Sequence, residues 1–104
     1  MANPHDEFVL YLEKNPECYV IMKSSAHIKV LETLEKRPNT LEGLKILLAK
    51  ADLSDLELII DSLLEIGAVD KFLAGQKYMF NLTKKGKDFL AKYTKTRQAM
   101  LGSG

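Results

Sequence analysis

Leu53–Gly86 reads LSDLELIIDSLLEIGAVDKFLAGQKYMFNLTKKG, and its changes of period decide the fold. Leu56, Ile59, Ile60 and Leu63 recur at helical spacing, with Leu64 on the flank. Ser54 and Glu57 have the spacing of a capping box, in which each side chain satisfies the other residue's free amide. The pattern predicts a helix from Ser54 to Ile66, closed by Gly67 in a left-handed C-cap. Period two then replaces it. Tyr78, Phe80 and Leu82 are expected to point one way, Met79 and Asn81 the other, and Ala74-Gly75-Gln76 to turn a hairpin over Val69–Leu82.

The segments before this stretch read as helices. Asp6 is expected to cap a short helix through about Lys14, with Phe8, Tyr11 and Leu12 on one face. Asn15-Pro16 breaks it, because the residue before proline is pushed out of helical conformation. Residues 18–23 suit helix or strand, and helix is favoured. Ser24 or Ser25 opens a helix to about Lys36, with Ile28, Leu31 and Leu34 inward. Asn39 or Thr40 caps the next, whose stripe is Leu41, Leu44, Leu47 and Leu48. Beyond the hairpin, Thr83 caps a final helix over about Lys84 to Met100. Residues 1–5 and 102–104 are expected to be loose ends of one domain, residues 1–104.

Composition bounds the class. Hydrophobic residues make up 46% and charged residues 28% of 104, as in an ordinary globular domain. No apolar run approaches the roughly 20 residues of a membrane span, and Met1–Glu7 lacks the pattern of a secretory signal. Cys18 is alone, so no internal disulfide forms and a cytoplasmic setting is expected. His5 and His27 are far apart, with no cysteine at metal-ligand spacing, and Cys18 has no base beside it in sequence. Asp52 and Asp55 suit helix capping better than acid–base work. There is no glycine-rich phosphate loop. The reading is no enzyme, no cofactor and no metal.

Charge is strongly partitioned. Residues 1–70 hold seven bases against thirteen acids, a balance of −6, and residues 71–104 hold eight bases against Asp88 alone, a balance of +7. From Ala51 to Asp70 there is no Lys or Arg, but Asp52, Asp55, Glu57, Asp61, Glu65 and Asp70 are acidic. A helical wheel sets Ser54, Leu58, Asp61 and Glu65 opposite the buried stripe.

Three pieces in order resemble the winged helix-turn-helix family, most like small MarR-, ArsR- or PadR-type and similar archaeal regulators. They are Ser24–Leu34, similar to its first helix; Leu63-Leu64-Glu65-Ile66-Gly67-Ala68-Val69, similar to its recognition-helix exit; and Tyr78–Gly86, similar to its second wing strand and the turn after it. The resemblance covers about Ser24 to Tyr93. It implies an α+β, mostly helical winged helix with a two-stranded wing and extra terminal helices, binding double-stranded DNA as a transcriptional regulator.

Carried over by position, the base readers would be Ser54, Asp55, Leu58, Asp61 and Ser62, and the wing contacts Lys71, Gln76 and Lys77. The charge pattern adds Lys84, Lys85 and Lys87 as candidates for phosphate contact. A second reading takes Leu58, ringed by Asp61, Glu65 and Glu57, as an apolar anchor for a partner protein. A homodimer is expected, built on Phe8, Tyr11 and Leu12 of the first helix and Phe89, Leu90, Tyr93, Met100 and Leu101 of the last.

Overall fold

The computed structural model describes residues 3–51 and 55–102. In chain order these form α1 (Pro4–Lys14), a 3-10 segment (Pro16–Lys23), α2 (Ser25–Lys36), α3 (Leu41–Leu47), a short 3-10 turn (Ala49–Ala51), α4 (Leu56–Glu65), β1 (Val69–Ala74), β2 (Lys77–Leu82) and α5 (Lys84–Gly102). The described residues are mostly helical with a two-stranded antiparallel hairpin, as the periodicities predict.

Several boundaries differ from expectation. Asn3, not Asp6, caps α1: its Oδ1 accepts the Asp6 amide at 2.9 Å, and Pro4 occupies the first turn, where a missing N–H costs nothing. Pro4 and His5 are therefore helical rather than loose, and α5 continues through Gly102. Residues 16–23 take the tighter 3-10 form, which turns Cys18 and Ile21 into the core three residues apart. Ser54, half of the expected capping box, lies outside the described residues. Described α4 begins at Leu56, after Asp55, which makes no side-chain cap bond. Of the alternative caps for α3, Thr40 is the one used, its Oγ1 accepting the Gly43 amide at 3.0 Å.

The core gathers one face of each α-helix and strand, with Cys18 and Ile21 of the longer 3-10 segment. Leu31, Leu34 and Val30 of α2 meet Leu44 of α3, Ile60 and Leu63 of α4, and Leu82 of β2, all essentially solvent-free. At about 1.5–3 kcal/mol per fully buried aliphatic side chain, this burial is the main term holding the fold. Phe89 and Leu90 of α5 complete it, and α1 lies along α5, with the Phe8 ring edge-on to Phe89 at 5.6 Å.

The hairpin is rooted and then projects. Val69, Phe80 and Leu82 are buried, whereas Phe72, Leu73 and Tyr78 are exposed. Tyr78 shares the strand face of Phe80 and Leu82 as expected, but it sits beyond the edge of the core and is not part of it. Asn39 closes the outer edge of β2 at Phe80 by reciprocal backbone bonds of 3.0 and 2.7 Å.

The turn from α4 into β1 carries the join. Gly67 has φ 79, the left-handed cap predicted, and the Ala68 amide reaches back to the Leu63 carbonyl at 3.0 Å. Thr83 clamps this turn to the start of α5. Its hydroxyl donates to the Gly67 carbonyl at 2.6 Å, its amide donates to the Ala68 carbonyl at 3.1 Å, and its Oγ1 accepts the Gly86 amide at 3.1 Å. Gly86 is needed for contact, since a Cβ there would stand 2.3 Å from the Ala68 carbonyl oxygen. Gly86→Ala is expected to lower unfolding free energy by about 1–3 kcal/mol through overpacking. Gly67→Ala, which meets no clash, should cost about 1 kcal/mol of backbone strain. Urea denaturation of both variants checks the order, and equal losses would remove the argument that the two glycines serve different ends.

Candidate nucleic-acid interface

α4 presents its outer face as the wheel predicts. Leu56, Ile59, Ile60 and Leu63 are buried, while Glu57, Leu58, Asp61 and Glu65 are exposed, Leu58 at 67%. Lys45 of α3 reaches Glu57 at 3.8 Å, an exposed pair of small energetic value. No cation is set against Asp61 or Glu65 among the described residues.

Ser62 does not face outward, which corrects its assignment as a base reader. Its hydroxyl donates to the Ile59 carbonyl at 2.8 Å and its Oγ lies 3.2 Å from His27 Nε2. Ser24 Oγ lies 3.1 Å from His27 Nδ1. Because the Ser62 proton is committed to Ile59, the network assigns a hydrogen to His27 Nε2 and leaves Nδ1 to accept from Ser24. The bridge ties α2 to α4. His27 is buried, and burial together with nearby Lys23 lowers its pKa. The Ser24–His27 spacing gave a local hint; the link to Ser62, 35 residues away, had none.

The basic elements divide into free and committed cations. Lys71, Lys77, Lys84 and Lys87 are exposed, and none has a carboxylate at ion-pair distance among the described residues. Lys71 Nζ lies over the Tyr78 ring at 4.3 Å, which fixes the side chain without neutralising it. Gln76 is exposed in the turn beside Gly75, whose φ of 67 supplies the conformation that tight hairpin turns require. Lys84 and Lys87 fall on one face of α5 at i, i+3, and exposed Lys95 lies farther along the helix.

Lys85 is the exception, and its assignment to phosphate is corrected. It turns inward to an ion pair with Glu17 of the 3-10 segment, whose carboxyl it holds below the usual range. The Lys85 carbonyl accepts from the Tyr11 hydroxyl at 3.4 Å. Tyr11 is pushed up to about 12 chiefly by burial, and burial also raises the Cys18 thiol. Both stay protonated near neutrality, and Tyr11 serves the packing of α1 on α5.

The expected dimer surface is also corrected. Phe8, Leu12, Phe89 and Leu90 are buried inside one protomer. Tyr11 and Tyr93 are half-buried, and Tyr93 stacks on Phe89 at 6.2 Å. The side chains of Met100 and Leu101 lie outside the described residues. What α1 and α5 leave open is a groove of about 450 Å³ lined by Phe8, Val9, Met22, Tyr93 and Arg97 among others. The sequence stripe named the residues between the two helices, not those on their outer sides.

No group of three or more His, Cys, Asp or Glu suited to a metal occurs among the described residues. No helix among them is long and apolar enough to cross a membrane. No family model, no curated protein and no solved structure matches the chain.

The His27 bridge gives a pH prediction. A pKa lowered on folding means that the unfolded chain binds the proton more readily. The stability contributed by neutral His27 is full above its ordinary value of 6.5 and is lost as pH falls from there through the lower folded value. Thermal unfolding should show a midpoint that drops across that window. His27→Gln should flatten the drop and lower stability at neutral pH by about 1–3 kcal/mol through the broken bridge. An unchanged pH slope in that variant would assign the titration to another group.

Proposed function

We propose that this chain is a winged-helix DNA-binding protein of the transcription-regulator type, which grips the duplex through its phosphates. The observation that carries the proposal is the set of exposed cations Lys71, Lys77, Lys84 and Lys87, which form no ion pair among the described residues and are borne by a projecting hairpin and by the helix that starts at its root. The element order and the Gly67 exit from α4 support the winged-helix reading. In that reading β1 and β2 are the wing. Lys71 and Lys77 would contact backbone phosphate, Gln76 would reach a groove edge, and Lys84 and Lys87 would hold the flanking strand.

The reading carries a consequence for specificity. Phosphate contacts position a protein but carry no sequence information. α4, which would lie nearest the major groove, offers Asp61 and Glu65 to a duplex with about one negative charge per 1.7 Å. Binding is therefore expected to be weakly sequence-dependent and strongly salt-dependent.

A second reading is favoured by one specific observation. Leu58 is 67% exposed with Glu57, Asp61 and Glu65 around it, which suits an apolar anchor for a partner protein better than base recognition. The two readings use different faces and part under one assay.

In mobility shifts on mixed duplex DNA, Lys71→Ala, Lys77→Ala and Lys84→Ala should each reduce the slope of log affinity against log salt by about 1. Lys85→Ala should leave the slope unchanged because its charge is paired within the protein. Absence of any shift at low salt would reject the DNA reading. Loss of DNA binding in Leu58→Asp would show that α4 enters the groove and that its face is not reserved for a protein.

A further inference from the structure

Beyond the DNA-binding reading, and independent of it, we propose that the outer edge of β1 pairs with β1 of a second copy of this chain, joining two hairpins into a four-stranded antiparallel sheet. The starting point is an asymmetry between the hairpin's edges. The outer edge of β2 is closed at Phe80 by Asn39. β1 pairs with β2 on one side only, and no described strand lies on its other side.

The hairpin register shows which groups face outward. A two-residue turn makes its flanking pair, Ala74 and Lys77, hydrogen-bonded, and bonding then alternates along the ladder. Asp70, Phe72 and Ala74 therefore spend their backbone groups on β2. Val69, Lys71 and Leu73 point theirs away from it. A row of open donors and acceptors flanked by apolar side chains is a template for another strand. The usual guards are weak here. β1 has no proline, and its one lysine, Lys71, is drawn over the Tyr78 ring at 4.3 Å instead of standing along the edge. Phe72 is 42% exposed, Leu73 58% and Tyr78 56%, with apolar surface on both faces of the ribbon.

Charge and register select a second copy in one arrangement. A two-fold axis perpendicular to the sheet sets some residue of β1 opposite itself. Centred on Asp70 or Lys71, it would oppose like charges, which is destabilising. Centred on Phe72, it sets Phe72 against Phe72 as an aromatic pair, Lys71 against Leu73 and Asp70 against Ala74. That register places the outward groups of Lys71 and Leu73 in reciprocal backbone bonds. It also pairs the whole of Asp70–Ala74, whereas centring on Leu73 runs Lys71 past the strand end. The two cores then lie at opposite ends of the joint sheet, which carries Lys71 and Lys77 from both copies. The contact is small, one short strand from each copy against the roughly 20–30 residues a side of a stable interface, so the pair is transient.

Cross-linking reads the register directly. Opposite a two-fold axis, a non-hydrogen-bonded pair brings Cβ atoms to about 4.5–5.5 Å, a small shift from disulfide geometry. Phe72→Cys should form an intermolecular disulfide under mild oxidation without DNA. Asp70→Cys, exposed on the same strand, should not, because its two copies would stand about 14 Å apart at roughly 3.4 Å per residue. Cys18 is fully buried and supplies a silent background. In sedimentation up to millimolar protein, Phe72→Lys should weaken wild-type self-association at least tenfold, with an unchanged helical spectrum confirming its fold. A monomer at every concentration overturns the proposal. So does equal cross-linking of both cysteine variants, or a dimer indifferent to Phe72→Lys, which would place self-association at another surface such as the groove beside Val9. None of these outcomes touches DNA binding, which the salt-slope assay tests separately.

Discussion

Thr83 and Gly86 hold the molecule's geometry together, because they fasten the start of α5 to the turn by which α4 becomes β1. Thr83 serves the Gly67 and Ala68 carbonyls and the Gly86 amide at once. Each of those groups lies at a helix end or turn, where backbone polarity has no repeating partner. A missing Cβ at position 86 lets the first turn of α5 approach the Ala68 carbonyl. The hairpin root, the exit of α4 and the cationic start of α5 are therefore fastened together. Lys84 and Lys87 stand beside the hairpin for this reason, and not merely because they follow it in sequence.

That junction also brings unlike charges close together. α4 is acidic on its outer face, and the chain becomes basic within a few residues of Gly67. An anionic ligand approaching the hairpin meets an attractive field from Lys71, Lys77, Lys84 and Lys87 and a repulsive one from Asp61 and Glu65. At physiological ionic strength such fields reach only about 8 Å. On the proposed DNA-binding reading, the acids would tilt an approaching duplex away from α4 more than they would cancel its hold on the hairpin. Lys85 takes no part in the field because Glu17 neutralises it. In exchange, the Lys85–Glu17 pair ties the 3-10 segment to α5.

Much of this architecture was legible in the chain, and the illegible parts share a cause. The stripe Leu56–Ile59–Ile60–Leu63, the cap at Gly67 and the turn at Gly75 follow from local rules, since period and backbone handedness act over a few residues. Ser62 looked like an outward polar residue because a wheel has no means of showing that His27 of α2 waits on that flank. Lys85 looked like its neighbours Lys84 and Lys87, and only the docking of residues 16–23 distinguishes it. Phe8 and Leu12 looked like apolar surface calling for a second copy. In fact α1 folds back antiparallel along α5 and uses them internally. Every one of these corrections is a contact between distant segments, for which sequence spacing holds no signal.

The hairpin raises a different point, because its departure from pattern was visible in the sequence. Phe72 and Leu73 are adjacent, so alternation must place one of them on each face, whichever face is buried. A strand that needed only to root itself on a core and lift a lysine toward phosphate would gain nothing from either. Exposed aromatic surface on a short ribbon with an open edge is costly in water unless something covers it part of the time. The proposed pairing of two such edges would cover that surface, and it would give Phe72 and Leu73 a role that contact of Lys71 and Lys77 with phosphate does not.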